Sequence, residues 1–411
     1  MPRVVITGMG IVTCLGTGLV PNWDAVTAGR SGIGPIRSFD PSDIDTRIAG
    51  EVAEDFDPDN RVPGKELRRL GRFQQFLMVA AGEAAEQSGL RFPPEEPFRY
   101  GTVIGSGSGG LEIIEDNIPG FRQKGPKAVH PLFILRVIMN FAAATLAIKY
   151  GLRGPDFAVA SGCASGATAI GEAYRTIKQG RAEVMFAGGA DAYITRFSVS
   201  SLSALGILST RNGSPWEASR PFDAGRDGFV LSEGAGVLIL ESEDHARRRN
   251  AQILAKIVGY RATQDTHGTA EPDPEGEGAY WCMKKALHAA GLETGQVEYI
   301  NAHAPSSPLY DRTEAAAIAR LFGQSGSKPS VSSTKSVTGH LMGAAGAVEA
   351  IYTVMALRTG TIPPTINLEN PDPPYDLDYT AHHAVRREVE YALSNSFALG
   401  GQNACLAFKR V

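Results

Sequence analysis

Phe157-Ala-Val-Ala-Ser-Gly-Cys163-Ala-Ser-Gly-Ala-Thr-Ala-Ile170 is the stretch that decides the fold. An apolar run ends in small residues, then a cysteine, then a segment built almost wholly of Ala, Gly, Ser and Thr. This pattern predicts a buried strand that delivers a thiol to a tight turn at the first turn of a helix. A helix N-terminus presents unpaired N–H groups and partial positive charge, which lower a thiol's pKa and favour the thiolate. Small flanking residues let a substrate carbonyl approach closely. The competing reading is a buried structural cysteine, the commonest fate of a free Cys. On local pattern the two are even, and the remainder of the chain decides between them.

Working outward, residues 330–359 repeat the form of 157–178: Ser/Gly turns leading into an Ala/Gly-rich helix. Strand-like runs fall at 4–7, 100–105, 157–160, 184–187 and 237–241, and again at 253–260, 297–302, 331–334, 392–397 and 404–408. Segments with apolar 3.6-residue spacing separate many of them, at 73–87, 167–178, 280–290, 312–322 and 346–359. Such alternation implies α/β layers around buried sheets. A duplicated half is expected, spanning 1–250 and 251–411, with active turns meeting at a pseudo-two-fold. Helices of small residues suit close packing at its centre. Residues 197–227 and 263–278, rich in Ser, Gly, Pro and acids, are expected to be long surface excursions.

Composition excludes several classes. A net charge of −4 over 411 residues gives no global basic field for nucleic acid or a membrane surface. No apolar run is long enough to span a bilayer, and the N-terminus enters a strand-like run with no leader pattern, so a cytoplasmic protein is expected. Cys14, Cys163, Cys282 and Cys405 lie far apart without metal-ligand spacing, which argues against a disulfide framework and against a metal site. Gly105–Gly110 matches GxGxxG, but the acids Glu115 and Asp116 come too early for a dinucleotide fingerprint.

Two of the eight histidines stand at strand ends among small residues. His303 lies in Glu298-Tyr-Ile-Asn-Ala-His-Ala-Pro-Ser-Ser-Pro308, and His340 in Lys335-Ser-Val-Thr-Gly-His-Leu-Met-Gly-Ala-Ala-Gly346. Either alone reads as structural. Both, together with a helix-capped cysteine, point to nucleophilic acyl chemistry. His130, His245, His267, His288 and the pair His382-His383 carry no such context.

The whole chain resembles the elongating, decarboxylating β-ketoacyl-acyl-carrier-protein synthases of the thiolase superfamily. The likeness runs through Val5-Ile-Thr-Gly-Met-Gly10, Tyr150-Gly-Leu-Arg-Gly-Pro155, Ser209-Thr-Arg-Asn212, Ser219-Arg-Pro-Phe-Asp223, Arg226-Asp-Gly-Phe-Val230 and Pro363-Pro-Thr-Ile-Asn367, besides the segments above. It implies a five-layered α-β-α-β-α duplication and an obligate dimer, paired either with itself or with a chain-length-factor-like sister. Cys163 would carry the acyl chain, with His303 and His340 donating to a thioester carbonyl and assisting decarboxylation. Backbone N–H groups of Cys163 and Leu399 would form an oxyanion hole, and Lys335 would pair with Glu349, either orienting the histidine region or serving only as a buried salt bridge that holds structure. Phe229, Pro305, Ser307, Phe397, Leu399 and Ser108 would shape the pantetheine and acyl pockets. Lys65, Arg68 and Arg69, expected to share a helical face with Arg72, would dock an acidic acyl carrier protein. That carrier brings the phosphopantetheine arm, so no cofactor or metal of the chain's own is implied.

The substrate-handling residues depart from the family pattern. His-Gly-Thr-Ser-Thr is replaced by His303-Ala-Pro305-Ser-Ser307, and Phe-Gly-Phe-Gly-Gly-Thr by Phe397-Ala398-Leu399-Gly-Gly-Gln402. Ser108 stands where a branched apolar residue is usual, and Arg136 interrupts an apolar run at the implied interface. These departures favour a specialised type II polyketide-like synthase, with housekeeping fatty-acid elongation as the alternative. A non-catalytic chain-length partner is disfavoured because Cys163, His303 and His340 are all present. A degradative thiolase is disfavoured by the two-histidine arrangement.

Overall fold

The computed structural model describes residues 2–411 apart from 54–55, 324–327 and 373–374. The main sheet's path is made by β1 (Val4–Thr13), β2 (Tyr100–Gly105), β3 (Asp156–Val159), β4 (Val184–Asp191), β5 (Gly234–Ser242), β6 (Ala255–Gln264), β7 (Tyr299–Asn301), β8 (Ser330–Ser332), β9 (Asp378–Tyr379), β10 (Tyr391–Phe397) and β11 (Gln402–Lys409). They line up as β9-β8-β7-β10-β11-β6-β1-β5-β4-β2-β3, and Gly16–Thr17 hairpins off β1. Leaving aside the short edge strand β9, the two sets repeat one order from the outer edge inward, the third, second, fourth, fifth and first strand of each series. Direction repeats as well: β3-β2-β4 and β8-β7-β10 are parallel, whereas the inner pairs are antiparallel. At the middle β1 pairs with β6 at three positions, Val4 with Ile257 through Ile6 with Ala255, which makes one continuous hydrogen-bonded sheet of the two series.

Seven helices matter here: α1 (Arg72–Ser88), α2 (Asn140–Tyr150), α3 (Ser165–Lys178), α4 (Arg196–Ala204), α5 (Glu277–Ala290), α6 (Pro308–Phe322) and α7 (Ala345–Thr359). α1 and α2 cover the outer face of the first series, and α5 and α6 that of the second. Between the two series, α3 and α7 pack on each other and on strands from both. This is the five-layered thiolase-like architecture. It depends on small residues: a Cβ on Gly166 of α3 would lie 2.9 Å from the backbone of Ala347, and one on Gly346 of α7 would lie 2.8 Å from the backbone of Ala167. The central helices therefore touch backbone to backbone, a distance that larger side chains would forbid.

The segment 197–227 is not a continuous excursion, because its start is α4. Thr195 caps that helix, its Oγ1 accepting from the Ser198 N–H at 3.1 Å, and Val199 and Leu202 are buried. Serines at 198, 200, 201 and 203 gave the segment a loop-like composition. The basic run also differs from expectation. Gly64–Leu67 is a single helical turn, and Arg72 opens α1 and turns away to pair with buried Glu233 at 2.6 Å. Lys65, Arg68 and Arg69 remain exposed.

Candidate active site

Cys163, His303 and Leu399 are delivered just beyond the ends of β3, β7 and β10, whereas His340, expected at a strand end, follows β8 only after the helical turn Lys335–Thr338. At the first of these, Gly162 takes φ +55 so that the chain can turn sharply, and the Ser165 Oγ closes the turn. That hydroxyl donates to the Gly162 carbonyl at 2.6 Å and accepts from the Ser161 N–H at 2.9 Å. The thiol sits two residues before α3, as the sequence implied.

Its ionisation runs against the sequence-based expectation. Burial pushes the Cys163 thiol up to about 11, outweighing the Leu399 N–H, the Lys335 charge and its own N–H, each of which pulls it down. The helix-terminus reading omitted the loss of water around a fully buried sulfur. Alkylation of Cys163 by iodoacetamide, followed by peptide mass mapping, is therefore expected to quicken about tenfold per pH unit from pH 7 to 10. A plateau already reached at pH 8 would contradict the burial-dominated thiol.

His303 follows β7, and its backbone is clamped by a helix the sequence reading did not connect to it. Glu314 of α6 accepts from the N–H groups of His303 and Ala304 at 2.9 and 2.7 Å, and from the Asn395 side chain at 3.0 Å. One turn earlier Asp311 accepts from the N–H groups of Ser306, Ser307 and Phe222 at 3.1, 3.0 and 2.9 Å. These bonds hold Ser306 at φ +77, a strained value for a residue with a Cβ. Burial lifts the Asp311 carboxyl to about 7. Asp311 and Glu314, three apart on the helix directly after His303, were a readable signal for such a clamp.

His340 is pinned across to the segment after Arg226: its N–H donates to the Val230 carbonyl at 2.8 Å, and its carbonyl accepts from Ser232 at 2.9 Å. Phe229 thereby packs edge-on against the His340 ring, with centroids 5.2 Å apart. The His303 and His340 rings lie 5.4 Å apart and nearly perpendicular. Burial, together with the Lys335 charge, holds both imidazoles well below their ordinary pKa, so both are neutral. A neutral imidazole offers one N–H donor and one acceptor.

These groups line one cavity of about 60 Å³ with Phe229, Pro305, Ser307, Phe397 and Leu399, and with Ile207, Ala270, Leu309 and Tyr310, which sequence reasoning had not singled out. Three expected members stand elsewhere or act differently. Ser108 is not in the cavity wall: its N–H and hydroxyl lean on the buried Asp191 carboxylate, at 3.3 and 3.4 Å, which also gathers Gly107 and Gly343. Lys335 is behind the cavity, fully buried and ion-paired with Glu349, whose carboxyl burial pushes up to about 7 although the lysine pulls it back. The Ser307 hydroxyl caps α6, accepting from the Tyr310 N–H at 3.5 Å. Ala398 is buried against the nucleophile turn, and Gly400 and Gly401, both at positive φ, close the β10–β11 hairpin that aims the Leu399 N–H at the thiol. Among the described residues, no group of three or more His, Cys, Asp or Glu side chains is arranged to hold a metal ion.

A buried thiol, two neutral imidazoles and a backbone donor around one cavity can form and break a thioester. Comparison with known proteins agrees. The description "Beta-ketoacyl synthase, N-terminal domain" matches residues 1–246, and its C-terminal counterpart matches 254–369. The chain belongs to the β-ketoacyl synthases, acyltransferases that form carbon–carbon bonds. It is 45% identical over 409 residues to the 3-oxoacyl-(acyl-carrier-protein) synthase 2 of Coxiella burnetii, covering 100% of this chain and 99% of that relative. Among solved structures, a β-ketoacyl synthase from Burkholderia phymatum STM815 superposes with a TM-score of 0.93 at 35% identity, over 100% of both chains. A ketosynthase solved in complex with its type II polyketide acyl-carrier protein, bound to the hexaketide, matches at TM-score 0.91 and 29% identity, again over 100% of both chains. No helix among the described residues is long and apolar enough to cross a membrane.

Proposed function

We propose that this enzyme elongates fatty acyl chains carried on an acyl carrier protein, by a decarboxylating Claisen condensation with a malonyl-carrier thioester. The observation that carries this reading is the meeting of Cys163, His303 and His340 in one cavity, with the Leu399 N–H directed at the thiol. Cys163 attacks the acyl thioester: a new C–S bond forms, the carrier's C–S bond breaks, and the thiol proton leaves with the departing phosphopantetheine sulfur. The N–H groups of Cys163 and Leu399 receive the developing oxyanion. A malonyl thioester then enters and loses carbon dioxide, and His303 and His340 donate to its carbonyl oxygen as the enolate forms. The enolate carbon attacks the acyl-enzyme carbonyl, and the tetrahedral intermediate collapses with release of the Cys163 sulfur, which regains a proton. Lys335 acts from behind as a positioning residue, keeping both imidazoles neutral.

The exposed Lys65, Arg68 and Arg69 would meet the acidic carrier, which supplies the only prosthetic arm the chemistry uses. A second subunit, either another copy or a sister chain, would pair along the edge strand β3, where Phe157 is exposed; Ile134, Leu135 and Ile138 are exposed as well. The setting proposed is the cytoplasm.

The sequence relatives side with fatty-acid elongation rather than with the polyketide lean, since the full-length relative at 45% identity carries the synthase 2 name and the polyketide ketosynthase stands at 29%. The altered residues Pro305 and Leu399 in the cavity lining, with Ala398 beside them, are what still favours a specialised chain. Intact-protein mass spectrometry after incubation with acyl carriers of graded length, saturated or bearing β-keto groups, tests the choice. Preferential acylation by saturated straight chains supports the proposal. Preference for β-keto or polyene chains would replace it with the polyketide reading, and no acylation by any donor would remove both.

A further inference from the structure

Tyr310 borders the cavity and has no part in the reaction above. It sits in the first turn of α6, its N–H held by the Ser307 cap and its carbonyl accepting from Thr313 at 3.0 Å, so the side chain's root is fixed. The ring packs edge-on to His303, with centroids 6.3 Å apart. Its hydroxyl oxygen is buried and finds no hydrogen-bond partner among the described residues. Burial, and after it the nearness of Cys163, raises the phenol's pKa, so it is a donor and not a base near neutral pH. A buried hydroxyl without a partner is costly, and in a substrate cavity the cost is recovered when an acceptor enters.

We infer that the Tyr310 hydroxyl hydrogen-bonds the malonyl thioester, making it a substrate-binding residue for the extender. The inference rests on the condensation proposed above. The extender is favoured over the acyl donor because the acyl carbonyl is served by the Leu399 and Cys163 N–H groups, whereas Tyr310 packs on His303, which faces the extender. Tyr310 lines the same cavity as His303 and His340, so a malonyl thioester held by the two imidazoles lies in the cavity that the phenol borders.

Tyr310→Phe keeps the ring and deletes only the hydroxyl. In the full-length enzyme the KM for malonyl carrier should rise about 5–10-fold, the worth of one neutral hydrogen bond, with kcat little changed because the contact is equal in ground and transition states. The rate of Cys163 acylation by acyl carrier should be unchanged, and the melting temperature should hold or rise, since no protein partner is lost. An unchanged malonyl KM overturns the inference, as does an equal slowing of acylation. Wild-type turnover in the same assay keeps the two levels distinct: its absence would overturn the condensation, and the inference with it.

Discussion

Cys163→Ala is expected to take up no acyl group yet still release carbon dioxide from malonyl carrier, while His303→Ala takes up the acyl group and releases carbon dioxide far more slowly. The two half-reactions use different parts of one cavity. On the proposed mechanism, acyl transfer needs the sulfur and the N–H groups of Cys163 and Leu399, and decarboxylation needs the donors of the histidine pair. Loss of the nucleophile should lower condensation by ~10⁴-fold or more, the scale seen when a covalent nucleophile is removed. Deleting one donor to a developing oxyanion typically costs about 10²–10³-fold. Intact mass reports the acyl-enzyme and labelled carbon dioxide reports decarboxylation. If Cys163→Ala lost both activities while remaining folded, the division of labour between thiol and histidines would be wrong.

The second large effect concerns Lys335 and Glu349, a fully buried ion pair. Lys335→Met leaves a carboxyl in the core without its partner, a change worth about 3–5 kcal/mol when such a pair is broken. Without the lysine, burial alone acts on Glu349 and raises its folded pKa further. A raised folded pKa means stability that is present at low pH and lost as pH climbs, so the variant should melt closer to wild type at pH 6 than at pH 8. Lys335→Met combined with Glu349→Gln removes both charges and should recover most of the stability. Activity should stay low at acid pH in the double variant. Removing the lysine charge lets His303 and His340 move back up toward their ordinary pKa, so protonation would begin to compete. Thermal melts and decarboxylation rates at both pH values check this. Equal melting of both variants and the wild type would show that the pair holds nothing.

Much of this molecule was legible one segment at a time. The runs at 100–105, 184–187 and 392–397 became β2, β4 and β10, and the small-residue helices at 167–178 and 346–359 became the central pair α3 and α7. Those signals are local: apolar runs of strand length, helical spacing, and side chains too small to hold two backbones apart. Cys163, His303 and His340 were picked out by local signals too, small neighbours at each and a strand end at the first two, and the structure brings all three to one cavity. Serine-rich α4 was not, because its composition argues for a loop and only the burial of Val199 and Leu202 makes it a helix.

Other features depended on partners that sequence distance hides. Arg72 looked like a fourth member of a basic face until Glu233, brought alongside by the sheet, turned it inward. Ser108 looked like pocket floor until the Asp191 carboxylate claimed it. The Cys163 thiol looked acidic from its helix, yet the depth at which the assembled layers bury it outweighs the nearby N–H groups and sets its pKa high. Tyr310 drew no notice in the chain and ends beside the nucleophile. The amino-acid sequence thus settled most of the elements and the duplication pattern, and it nominated the reacting groups, because each is signalled by neighbours along the chain. Tertiary structure alone decided the charge state of those groups and which side chains wall the cavity, because desolvation and long-range pairing exist only once the layers have closed.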